Sequence, residues 1–172
     1  MAGVLYQVMG PAAIFVNGAI LGSSSNQFLG ICRERIRIAI TEYDEPIRSG
    51  NAGPNIPADV QYFGKDATIS GTLAEYDPAV VAAIESLTEA SPGNLQTIGA
   101  PMYAGGLTFA LKIPSPSPYS QLPWTFPVCK RRRLADASGT EYTLIDFEFY
   151  AFAPFKASLT GEISALFTRS FS

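Results

Sequence analysis

The chain has 172 residues, nearly half of them apolar, and a formal net charge of -3. That is one domain, residues 1–172, with enough oily surface for a core and for contacts between subunits, and too little charge to grip nucleic acid or an acidic membrane. It has no histidine, which removes the usual base for serine and cysteine nucleophiles and the usual ligand for zinc or iron.

Met1 to Gly10 lacks the charged start of a secretory signal, and no window approaches the ~20 apolar residues of a membrane span, so the product is expected to be made in the cytoplasm with no membrane partner. Cys32 and Cys129 share no metal-ligand spacing and are expected as small core or interface residues. No cofactor is expected.

In chain order, Ala12 to Val16 reads as a strand, with Asn17-Gly18 turning it into Ala19 to Leu21 as a hairpin. Gly22 to Asn26 is a polar break. The run Ile31 to Thr41 sets Ile36, Ile38 and Ile40 on one face of a half-buried strand. From Thr41 to Asp59 the alternation lapses and turn formers outnumber core formers. A long projecting loop is expected there, since a structureless stretch of that length in a compact domain usually has a binding task.

Val60 to Leu73 returns to strand, with Thr68, Ser70 and Thr72 forming a hydroxyl-bearing face. Asp77-Pro78 is a helix start, because the Asp side chain accepts from free N–H groups and Pro fixes φ in the first turn. The helix is expected around 77–90, with Val80, Ile84 and Leu87 on one side, stopped by Ser91-Pro92-Gly93. Leu107 to Ile113 is a short strand that runs into the proline-rich stretch 114–118. Val128 to Leu134 and Glu141 to Phe152 form a hairpin, the second strand alternating Ile145, Phe147 and Phe149 against Asp146, Glu148 and Tyr150. The tail, 157–167, fits a strand or a helix stripe. The expected fold is α+β and mainly β: two packed antiparallel sheets, sandwich-like or barrel-like, with one flanking helix.

Little here resembles catalytic machinery. Asp146 and Glu148 are spaced to share a cleft, as glycoside hydrolysis requires, but a solvated strand face explains them equally. Gly99 to Gly106 lacks the ending of a phosphate loop. In Lys130-Arg131-Arg132-Arg133 an unbroken strand would point Arg131 and Arg133 one way and Lys130 and Arg132 the other, leaving no single basic patch. Pairing with carboxylates of a neighbouring strand or subunit is the preferred reading of these charges.

The order of pieces, Asn17 to Gly22, a strand, a loop holding Gly53-Pro54, the segment Gly64 to Asp77 and the late hairpin 128–152, resembles tail tube proteins of long-tailed bacteriophages, which are related to contractile-injection and type VI secretion tubes. The resemblance spans about Ala12 to Phe152 as an order of elements and carries no catalytic residues. It implies a non-enzymatic virion protein whose homohexameric rings stack into a hollow conduit for DNA ejection. Its implied partners are itself, the tape-measure protein, sheath or baseplate proteins, and DNA in transit without specific binding. It also implies an inter-ring loop that includes Glu42, Asp44, Glu45, Arg48, Asn51, Pro54 and Asn55, with Arg131, Arg133, Asp146 and Glu148 as candidate lumen or interface charges. Two readings compete with it: a tail terminator or head–tail connector forming a single ring, and a small carbohydrate-binding or glycan-hydrolysing sandwich.

Overall fold

A computed structural model describes residues 12–18, 23–48, 57–86, 108–114, 123–138, 143–153 and 165–169. Seven strands and one helix follow in the order β1 (Ala13–Gly18), β2 (Ser23–Cys32), β3 (Arg37–Arg48), β4 (Pro57–Tyr76), α1 (Pro78–Ser86), β5 (Phe109–Ile113), β6 (Trp124–Ser138) and β7 (Thr143–Phe152).

The mainly β expectation with a helix holds among the described residues, but in place of the two packed sheets expected, one sheet closes on itself into a barrel-like ring. A single antiparallel sheet runs β2-β1-β5-β6-β7-β4-β3, and β2 pairs again with β4. Leu73 shows how the ring closes: it faces Ile145 of β7 across one edge of β4 and Cys32 of β2 across the other. Past that point β3 takes over the edge that β2 vacates, paired with β4 from Arg37↔Ser70 to Arg48↔Pro57. Closure joins the six strands other than β3 into one ring around the core, although β2 meets β4 only over Gly30–Cys32 and β6 meets β5 only as far as Cys129.

Alternation places the core. Ala67, Ile69 and Leu73 of β4, Ile145, Phe147, Phe149 and Ala151 of β7, and Phe109, Leu111 and Ile113 of β5 all point inward and are buried. Phe109 and Phe149 meet edge to face with ring centroids 5.1 Å apart, a geometry favoured by the ring quadrupoles. Both cysteines are buried and free, as expected. At the seam Gly30 faces Tyr76, and a Cβ added to Gly30 would collide with the Glu75 carbonyl oxygen, so the strands close this tightly because there is no side chain.

Helix α1 begins as the sequence predicts. The Asp77 carboxylate accepts from the N–H groups of Ala79 (2.9 Å) and Val80 (3.4 Å), and Val80, Val81 and Ile84 are buried against the sheet. Leu87 and the expected stop at 91–93 lie outside the described residues, as do the proline-rich stretch 115–118, residues 19–22 and residues 154–164.

Three expectations are corrected. The polar break at 22–26 is the start of β2 from Ser23 onward. The run Ile31 to Thr41 is two strands, parted at residues 33–36, where the Arg33 N–H donates to the Thr72 carbonyl at 2.9 Å. The projecting loop 41–59 is mostly ladder: Glu42, Asp44, Glu45 and Arg48 lie in β3, paired residue by residue with β4. Backbone hydrogen bonds need no apolar alternation, and charged side chains, with Pro46 tolerated, are what an outermost strand carries. Asn51, Pro54 and Asn55 fall in 49–56, outside the described residues.

Candidate functional site

The feature that stands out is where β3 and β4 outrun the barrel. The β4·β7 ladder ends at Asp66↔Phe152, while β3·β4 pairing continues to Arg48↔Pro57. From Lys65 back to Pro57, β4 therefore has only β3 beside it, a two-stranded arm about 30 Å long at the usual rise per residue.

The exposed large apolar side chains among the described residues are Ile40, Tyr43, Ile47, Val60, Tyr62 and Phe63. Each belongs to this arm or its base, and four are at least half exposed (Tyr43 50%, Val60 51%, Tyr62 54%, Phe63 50%). Exposed apolar side chains gathered on one projecting element mark a contact surface, whereas ones scattered singly over a molecule do not. The arm also carries Glu42, Asp44, Glu45 and Asp59, all exposed.

A buried carboxylate fixes the arm's base. Asp66, 8% exposed, is the buried charged residue of the described set. Its Oδ2 accepts hydrogen bonds from the Tyr43 hydroxyl of β3 at 2.6 Å and the Tyr150 hydroxyl of β7 at 2.7 Å. One carboxylate thus ties together three adjacent strands at the point where the third drops out. The Tyr150 hydroxyl is pushed up to about 12, first by burial and then by its bond to Asp66. The Tyr43 hydroxyl is raised as well, chiefly by its bond to Asp66.

Just outward, Tyr43 faces Gly64 and Asp44 faces Tyr62, so Phe63 is an extra residue, a bulge that turns the arm. Gly64 has φ 129°, a conformation that a side chain would strain. Around Asp66 lies an open depression of about 470 Å³ lined by Thr41, Tyr43, Asp66, Thr68, Lys130, Arg132 and Tyr150.

The outer wall of the sheet is polar. Thr68, Ser70 and Thr72 face Tyr150, Glu148 and Asp146 across the β4·β7 ladder. The Thr72 hydroxyl donates to Asp146 at 2.6 Å, and Arg132 pairs with Glu148 at 3.3 Å. Asp146 and Glu148 do share one face, as the alternation indicated. Each is engaged with its own neighbour, and neither lines the depression.

The expected orientation of the basic run is corrected. Arg131 faces the inward Phe149, but Arg133 faces the outward Glu148, because a bulge at Arg132 shifts the alternation. Lys130, opposite Tyr150 and 5.4 Å from its ring centroid, shares the outer face with Arg133. Sequence reasoning missed Asp66 and its two tyrosines. The signal available was a lone carboxylate on the outward-facing side of a strand, with a tyrosine two register positions away in each of the two neighbouring strands.

Trp124 and Phe126 stack with centroids 5.8 Å apart and pack against Phe167, with the Arg169 guanidinium 4.3 Å above the Trp124 ring. The final segment is pinned there by Thr168 bridging to Thr125.

No family model and no curated protein matches this chain. Among solved structures, its fold is similar to that of a chain in the tail of an empty gene transfer agent (GTA) particle, computed with helical refinement and C6 symmetry (TM-score 0.52, 10% identity, covering 93% of this chain and 96% of that one). A chain of the virion of the native GTA particle aligns with TM-score 0.49 at 9% identity, covering 92% and 95%. The shared feature is the fold, held over nearly the full length of both chains.

Proposed function

We propose that this chain is a structural subunit of a phage-like tail tube, located in the virion tail, where six-membered rings stack into a hollow conduit for DNA. The observation that carries the proposal is the end-to-end likeness in fold to a chain of a C6-symmetric tail. A fold alone does not dictate a function, and the arm supplies the physical reason for assembly. A two-stranded ribbon exposed on both faces and bearing Tyr43, Ile47, Val60, Tyr62 and Phe63 gains by burial against another molecule.

In this reading the arm, with Glu42, Asp44, Glu45 and Arg48, reaches the adjacent ring. The hydroxyl and carboxylate wall of β4 and β7, including Asp146 and Glu148, faces the lumen. The tape-measure protein would occupy the same channel, and sheath or baseplate proteins would meet the outside. The role is structural, since the two carboxylates that suggested glycan hydrolysis are each held by a cross-strand partner.

Negative-stain microscopy of the purified protein tests the proposal. Stacked rings or filaments are expected. Single rings that never stack would favour a terminator or connector, and a strictly monomeric species at high concentration would refute assembly altogether.

A further inference from the structure

The depression at the base of the arm has the make-up of an anion site. It spans the outer face of four neighbouring strands, β3, β4, β7 and β6. Lys130, Tyr150 and Thr68 lie level with one another across the ladders, and Thr41 lies level with Asp66. A hollow forms there because the short Thr41 and Thr68 stand among the long side chains of Tyr43, Tyr150, Lys130 and Arg132.

The donors in this hollow are left over from the fold's own pairings. Lys130 is half-buried with its ammonium 5.4 Å from the Tyr150 ring centroid, and no carboxylate pairs with it among the described residues. The face of an aromatic ring attracts a cation without neutralising it. Arg132 uses its Nε for Glu148 at 3.3 Å, and its two Nη groups have no partner among the described residues. The hydroxyls of Thr41 and Thr68 have none there either. Asp66, the carboxylate of the lining, is buried and already accepts from Tyr43 and Tyr150. Two cations therefore stand against one engaged carboxylate, beside two free hydroxyls, around about 470 Å³ of open space.

We infer that this hollow binds a phosphate group. Phosphate carries several strong acceptor oxygens, and the guanidinium of Arg132 with the ammonium of Lys130 supplies charge-assisted donors for them, which the threonine hydroxyls supplement. The space is several times that of a phosphate group and admits the sugars of an ester. The phosphate is either free or part of a DNA backbone. The second source rests on the reading above, in which this wall faces the channel. Each copy would then offer the passing duplex a contact blind to base sequence and weakened by salt.

The test titrates the purified full chain with inorganic phosphate, followed by calorimetry. Saturable binding is expected, weakened about tenfold by Lys130→Gln through loss of a charge-assisted bond. Thr68→Val, which removes a hydroxyl and no charge, should weaken it as well. Arg133→Gln removes an equal charge outside the hollow and should leave binding nearly unchanged. Circular dichroism first establishes that each variant is folded, and Arg132→Gln replaces Lys130→Gln should that variant fail. Absence of saturable binding overturns the inference. So does a loss from Arg133→Gln equal to that from Lys130→Gln with Thr68→Val silent, which is the behaviour of diffuse surface charge.

A short DNA duplex added as competitor separates the sources. Displacement of phosphate by the duplex assigns the site to backbone phosphate, and binding that the duplex leaves untouched assigns it to free phosphate. The site and the tube reading fail separately: rings in the microscope from a chain that ignores phosphate would sink the site alone, and phosphate binding by a chain that never forms rings would sink the tube alone.

Discussion

At the scale of single residues, Asp66 illustrates how a buried charge is tolerated: both hydroxyls that meet it donate, and neither competes for a proton. Replacing it with Ala removes the acceptor of both hydroxyls, although that of the exposed Tyr43 can turn to water. Denaturant unfolding should show a loss of stability, and hydrogen exchange should rise in the arm more than in the barrel. Burial of Tyr150, and then its bond to Asp66, makes stability depend on alkaline pH. A folded-state Tyr150 titrating at about 12, against ~10 for a free tyrosine, keeps its proton where the unfolded chain loses one. Its contribution is therefore full below pH ~10 and fades as pH rises towards 12. Ultraviolet titration of tyrosinate should show this late-titrating group, and Asp66→Asn should bring it earlier. The thiols are held protonated by burial, Cys32 pushed up to about 12 and Cys129 higher still. Both should resist alkylation in the native protein and react on unfolding.

Among the elements, the barrel and the arm obey different rules, and the sequence reveals them unequally. β4 and β7 each have one face in the core, so alternation alone assigns Ile145, Phe147 and Phe149 inward and Asp146, Glu148 and Tyr150 outward. The Asp77 cap is equally local and equally legible. The arm was not, because with both faces exposed the segment Glu42–Arg48 shows no period and reads as loop. The bulge at Arg132 escaped for a related reason: one inserted residue inverts every later side chain, and its position is set by the facing strand. Barrel closure depends on Gly30 meeting Glu75 and Tyr76, a contact between distant segments that no local pattern announces. Gly30→Ala should therefore lower the melting temperature by opening the seam. Phe149→Ala should cost about 3–5 kcal/mol as a core cavity. Deleting Gly50 to Ile56, beyond the paired part of the arm, is expected to leave the melting temperature nearly unchanged while abolishing stacking. Filaments of normal length from that deletion would show that these residues have no part in it.

For the whole molecule, the barrel is satisfied and its extension is not. Six strands complete one another around the core. The outer side of β3 and the stretch of β6 past Cys129 have no neighbour among the described residues. The most direct measurement is amide hydrogen exchange compared between assembled and dissociated protein. Slowed exchange confined to β3 and to Lys130–Ser138, beyond whatever the arm itself gains, is the predicted result. Equal exchange at both borders in the two states, or borders already protected in the lone subunit, would contradict a ring in which neighbouring copies cover them.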